Sequence, residues 1–136
     1  PPEIDSPFVE SPITDAILFD KSWVNSFSKN SVDFGGEDEP CDYGLNISGY
    51  IHRLKTETSL TAYLVAFSDG ETKRTFALSW LNLTKRQLMR LGKIRARRFV
   101  SVYGGRAERR EMQIWLVPKG VLFSIKSAKE TKQKKY

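Results

Sequence analysis

Residues 99 to 117, FVSVYGGRAERREMQIWLV, set two short apolar runs on either side of a glycine pair and a burst of charge. Each run is rich in β-branched and aromatic residues and too short for a stable helix, so the stretch predicts two strands. The segment between them, Gly104 to Glu111, is either a solvated turn or a finger that grips an anion.

The residues from Tyr43 onward extend the same pattern of short segments bounded by turn residues. LNISGYIHRL alternates at Leu45, Ile47 and Ile51, with Gly49 where a strand needs a bulge or a sharp coil. SLTAYLVAFSDG reads as a second strand, apolar on both faces, closed by the hairpin signal Asp69-Gly70. TKRTFALSWLNL reads as a third, with Phe76, Leu78 and Trp80 on one face. TKRQLMRLG then predicts a short helix, capped by Thr84, apolar at Leu88 and Leu91 and stopped at Gly92. RARRFVSVYG and EMQIWLV complete the set, and VLFSI continues past Pro118 and Gly120.

The first 42 residues differ in character. Four prolines in PPEIDSPFVESP argue for an extended stretch. Ser11 and Pro12 are placed to start a short helix over 12–28, with a strand through AILF as the competing reading. VDFGGEDEPCDYG has the composition of a linker. These observations divide the chain into an acidic extension over 1–42, a folded body over 43–125 and a basic, disordered tail over 126–136.

A chain of 136 residues, 40% of them apolar, supports one core and no more. Neither a membrane-spanning run nor a signal peptide is evident, which points to an intracellular protein without membrane contact, although the sequence opens on Pro1 and leaves a removed targeting segment open. Cys41 alone cannot form an internal disulfide, and with His52 as the one histidine the usual Cys/His metal site cannot be assembled, so no cofactor is expected. Charge says more. Residues 1–43 hold ten acidic and two basic side chains, a net −8, whereas residues 44–136 hold twenty basic and six acidic, a net +14. A body this basic is suited to a polyanion, with the acidic leader as an internal competitor or a hook for another protein.

Three strands, a short helix and two further strands, with a glycine inside the first strand, is the element order of the oligonucleotide/oligosaccharide-binding (OB) fold, and the residues from about Tyr43 to Ile125 resemble it. The resemblance rests on ISGYI, the SDG hairpin, the helix ending at Gly92 and the closing QIWLV. It implies an all-β, five-stranded Greek-key barrel with one helix between strands 3 and 4; an SH3-like barrel is the competing architecture. It also implies that single strands lie across strands 2 and 3 and between the loops at 55–59 and 104–111.

Candidate binding residues follow from strand alternation. If the aliphatic residues form the core, Tyr50, His52, Phe99, Tyr103 and Trp115 face outward as platforms for bases; the reverse phase puts the rings inside. The cations are Arg53 before and Lys55 at the start of the first loop, Lys73 and Arg74 after the hairpin, Arg95, Arg97 and Arg98 entering strand 4, and Arg106, Arg109 and Arg110 in the finger. Arginine's planar fork suits phosphate and stacks on bases as well. No catalytic constellation is present: Glu71 and Lys73, with Asp69 or Glu57, imitate part of a nuclease metal motif, but the hairpin interrupts the strand that motif requires. The expectation is a non-enzymatic protein that binds single-stranded DNA or RNA in replication, recombination or repair. The alternative is an interaction barrel that docks on an acidic protein partner.

Overall fold

The computed structural model describes residues 14–34, 45–124, 126, 128 and 129. The main elements follow one another in chain order as β1 (Ile17–Phe27), β2 (Val32–Phe34), α1 (Ile47–Thr56), β3 (Leu60–Ser68), α2 (Arg74–Gly92), β4 (Phe99–Arg106) and β5 (Glu111–Pro118), with a 3₁₀ turn at Ala96–Arg98. The strands form one sheet in the order β2-β1-β5-β3-β4. All neighbours are antiparallel except β3 and β4, which run parallel. Parallel neighbours need a crossover, and α2 supplies it. The sheet is mixed and open, with edges at β2 and β4, and is not the expected all-β barrel.

Two of the expected strands are helical. In α1, Tyr50 and Leu54 are buried one turn apart and Ile47 and Ile51 pack beside them, a helical spacing that the alternation of Leu45, Ile47 and Ile51 obscured. The Asn46 side chain caps this helix by accepting the Gly49 N–H at 3.0 Å, and the Asn46 N–H donates to Asp20 at 2.7 Å, tying the helix start to β1. In α2, Ala77, Trp80, Leu81, Thr84 and Leu88 form one buried stripe. The expected third strand and short helix are therefore one helix, and Thr84 lies inside it rather than at its cap.

At the N-terminal end the competing reading holds, since the segment expected as a helix over 12–28 contains β1. β2 arises within the stretch read as a linker, and both strands belong to the sheet. Residues 1–13 and 35–42 of the expected extension, Cys41 included, and most of the expected basic tail lie outside the described residues.

The GG pair is a bulge rather than a turn. β3 and β4 pair through Ala66 with Tyr103 and then Phe67 with Gly105, so Gly104 is the extra residue. A Cβ at position 104 would strike the Phe67 ring, and Gly105 has φ +108°, a conformation that favours glycine. Nor do β4 and β5 form a hairpin, because β3 lies between them. The connection passes the end of β3, where the Ala107 N–H donates to the Ser68 carbonyl at 2.7 Å.

Both faces of the sheet are covered. Leu60, Ala62, Leu64 and Ala66 of β3, with Met112, Ile114 and Leu116 of β5, pack under the two helices. Each fully buried leucine or isoleucine there contributes about 1.5–3 kcal/mol. Val65, Phe67, Trp115 and Val117 form a second cluster on the opposite face, under the segment after β5. There Phe123 stacks on Tyr63 with ring centroids 4.7 Å apart and meets Trp115 edge-on at 5.2 Å. The Gln113 amide donates to the Ala128 carbonyl at 3.1 Å and holds this cover down. Among the described residues no helix is long and apolar enough to cross a membrane.

Candidate nucleic-acid interface

The structure divides the expected site residues into those it buries, those it binds to the chain itself and those it leaves open. The rings are mostly buried. Tyr50 is sealed between α1 and the sheet, its hydroxyl donating to the Trp115 carbonyl at 2.5 Å, and burial pushes its pKa well up. Phe99 and Trp115 are buried as well, and the Trp115 indole donates to the Gln113 side-chain oxygen at 2.8 Å. Tyr103 is half-buried and shares a 2.6 Å hydrogen bond with Ser68, while the Arg74 guanidinium lies 5.4 Å from its ring centroid. A base can stack only on a face that solvent reaches, so in this conformation Tyr50, Phe99 and Trp115 offer no platform.

Several arginines serve the fold. Arg98 donates to the carbonyls of Leu54 at 2.8 Å and Leu60 at 3.0 Å, joining the end of α1 to the start of β3, and burial lowers its pKa. Arg110 donates to the carbonyls of Val24 and Asn25 at 3.1 and 2.9 Å and lies over the Phe27 ring. Arg109 covers the Trp23 ring at 4.0 Å, and Arg106 donates to the Gly70 carbonyl at 2.9 Å. The expected finger is thus held against its own protein at all three arginines.

The nuclease-like group resolves the same way. The Asp69 carboxylate accepts the N–H groups of Glu71 and Thr72 at 3.2 and 2.8 Å, closing the turn before α2. Burial acts to raise its pKa, but hydrogen bonds from Thr72 and Glu71, with the charge of Arg110, outweigh that and lower it. On α1, Arg53 is ion-paired with Glu57, and His52 and Lys55 are exposed.

Lys73, Arg95 and Arg97 are exposed, and Arg95 belongs to a concentration of charge that the sequence reading missed. Arg86, Arg90, Lys93 and Arg95, with Met89 and Ile94, line one open cleft of about 500 Å³ at the C-terminal end of α2. None of these four cationic side chains has a hydrogen bond, ion pair or ring contact among the described residues. Arg86 and Arg90 are four apart on one helix, an arrangement in which like charges repel by about 0.2–0.5 kcal/mol. The negative end of the helix dipole offsets part of this, but its roughly half charge is small beside four cations.

A second cleft, of about 320 Å³, adjoins the first and shares Arg86 and Arg90 with it. Its other walls are Asn30 and Ser31 from the β1–β2 turn, Val32 at the start of β2, and Leu83 and Gln87 from α2. The turn is fixed in place: the Ser79 hydroxyl donates to the Lys29 carbonyl at 2.8 Å, and Phe27 packs edge-on against Phe76 and Trp80 of α2.

A signal for the missed cations exists in the sequence. From Thr72 to Ala107 there are ten lysines and arginines and not one acidic residue. Splitting this run between a strand and a helix concealed that most of these cations share one helix and its exit.

No family model matches this chain, and no curated protein matches it.

Proposed function

We propose that this protein binds nucleic acid without acting on it chemically, holding phosphates on the cationic surface formed by the C-terminal half of α2 and its connection to β4. The observation that carries the reading is the convergence of Arg86, Arg90, Lys93 and Arg95 on one cleft without an acidic partner among the described residues. A surface made only for solubility intersperses both signs of charge, whereas a single-sign concavity focuses potential and draws in polyanions. The apolar floor of Met89 and Ile94 lowers the local dielectric and strengthens each contact. The proposed site therefore lies on α2 rather than on the connection between β4 and β5, with Arg95 the residue common to both readings and Arg97 two residues beyond it and exposed.

The test is the salt dependence of binding to a fluorescein-labelled oligonucleotide, followed by anisotropy. Four neutralised phosphates predict a log–log slope of roughly −3 for a single strand. In the triple variant Arg86→Ala, Arg90→Ala, Lys93→Ala the slope should shrink to about −1, with affinity down at least about tenfold at moderate salt. An unchanged slope would remove α2 from the interface. Absence of wild-type binding to any oligonucleotide would favour the rival reading, a module that docks on an acidic protein.

A further inference from the structure

We infer that the second cleft, between the β1–β2 turn and α2, is a pocket for an unpaired base, so that the nucleic acid held here is single-stranded. This deepens the function proposed above and rests on it. The two clefts differ in chemistry although they share Arg86 and Arg90. One adds two further cations, Lys93 and Arg95, beside apolar Met89 and Ile94; the other adds no charge, with amides at Asn30 and Gln87, a hydroxyl at Ser31, and apolar Val32 and Leu83. A strand that crosses the Arg86–Arg90 ridge meets guanidinium groups where it presents phosphate, and beside them a recess whose composition suits the flat, hydrogen-bonding nucleobase.

Size and wall chemistry support this assignment. At about 320 Å³ the recess falls at the lower end of the range that holds small ligands. Asparagine and glutamine amides each pair a donor with an acceptor, the arrangement that matches a base edge, and apolar side chains provide contact for its face. The Asn30 and Gln87 side chains have no hydrogen-bond partner among the described residues, so both remain available. The turn that carries Asn30 is braced twice over. Its Ser28 N–H donates to the Ser31 carbonyl at 2.8 Å, the Ser28 and Ser31 hydroxyls lie 3.0 Å apart, and Ser79 anchors Lys29. A braced wall can select a ligand, because the entropy of ordering it has already been spent in folding.

A duplex cannot use such a recess without extruding a base, which costs a few kcal/mol. A single strand presents its bases freely. Tyr50, Phe99 and Trp115, three of the five rings expected to supply stacking, are buried, so this cleft adds the contact to the bases that single-strand binding requires.

The experiment measures anisotropy for labelled single-stranded dA, dC and dT homopolymers and for one dA·dT duplex of equal length, with wild type and the double variant Asn30→Ala, Gln87→Ala. Wild type should favour at least one homopolymer over another by about fivefold and bind the duplex more weakly than either of its strands. The double variant should lose the preference among homopolymers and keep the salt slope, since its changes remove no charge. A duplex bound as tightly as the strands, equal wild-type affinity for all three homopolymers, or a preference unaltered in the variant would overturn the base pocket. Each of those outcomes leaves phosphate binding by α2 intact. If wild type binds none of the probes, the base pocket and phosphate binding fall together.

Discussion

Lys93 adopts φ 53°, ψ 46°, the left-handed conformation, directly after the last residue of α2. Glycine is the residue that usually occupies such a position, and a side chain there costs about 1 kcal/mol. A glycine is present one place earlier, at Gly92, for a different reason: a Cβ there would strike Ile94 and Ile51, where α1 meets the end of α2. Packing claims the glycine and the strained position is left to a lysine that lines the cationic cleft. Lys93→Gly should therefore raise the midpoint of thermal unfolding by a few degrees while reducing the salt slope of oligonucleotide binding by about 0.7. A more stable variant that binds as before would place Lys93 outside the interface. The contrast with Arg98 shows why residue type alone misleads. Both are cations near the start of β4, yet one is committed to carbonyls and the other has no side-chain partner among the described residues.

Between elements, the decisive contact is the one Arg98 makes from the 3₁₀ turn to the end of α1 and the start of β3. Helix ends leave carbonyls without internal partners, and a charged donor that satisfies several contributes more than a neutral one. Arg98→Ala should destabilise the fold by about 1.5–3 kcal/mol in urea unfolding and leave oligonucleotide affinity per folded molecule unchanged. Loss of binding without loss of stability would return Arg98 to the site.

At this scale β3, β4 and β5 were readable because β-branched and aromatic runs of strand length admit little else. Of the helices only the last turns of α2, with Leu88 buried and the stop at Gly92, were readable. Phe76, Leu78 and Trp80 alternate as a strand would, but Leu78 is exposed and Trp80 is buried, because the period that matters runs through Ala77, Leu81, Thr84 and Leu88. Ile47 and Ile51 satisfy both periods, and only the burial of Tyr50 and Leu54 decides between them. Strand order lay beyond sequence entirely. A local reading joins β4 to β5 as a hairpin, whereas in the sheet β3 lies between them.

For the whole molecule, the fold separates cations that hold it together from cations that face solvent. Arg98, Arg106 and Arg110 secure connections through backbone carbonyls, and Arg109 covers a ring. Four of the solvent-facing cations, Arg86, Arg90, Lys93 and Arg95, gather on α2 and its exit, while the opposite face of the sheet is closed by Phe123 and Ala128. The proposed site thus lies on the helical side, and the cations that form it were hidden from the sequence because an arginine bonded to carbonyls and an arginine open to solvent are written with the same letter. The basic composition pointed to a polyanion; only packing shows which cations remain free to meet one. The most direct measurement is a ¹H–¹⁵N NMR titration of the full chain with a single-stranded oligonucleotide. Shifts should concentrate at Arg86, Arg90, Lys93 and Arg95 and reach Asn30 and Gln87, while Arg98, Arg110 and Trp115 stay near their free positions. Shifts centred on residues 104–111, or none at saturating oligonucleotide, would contradict the account.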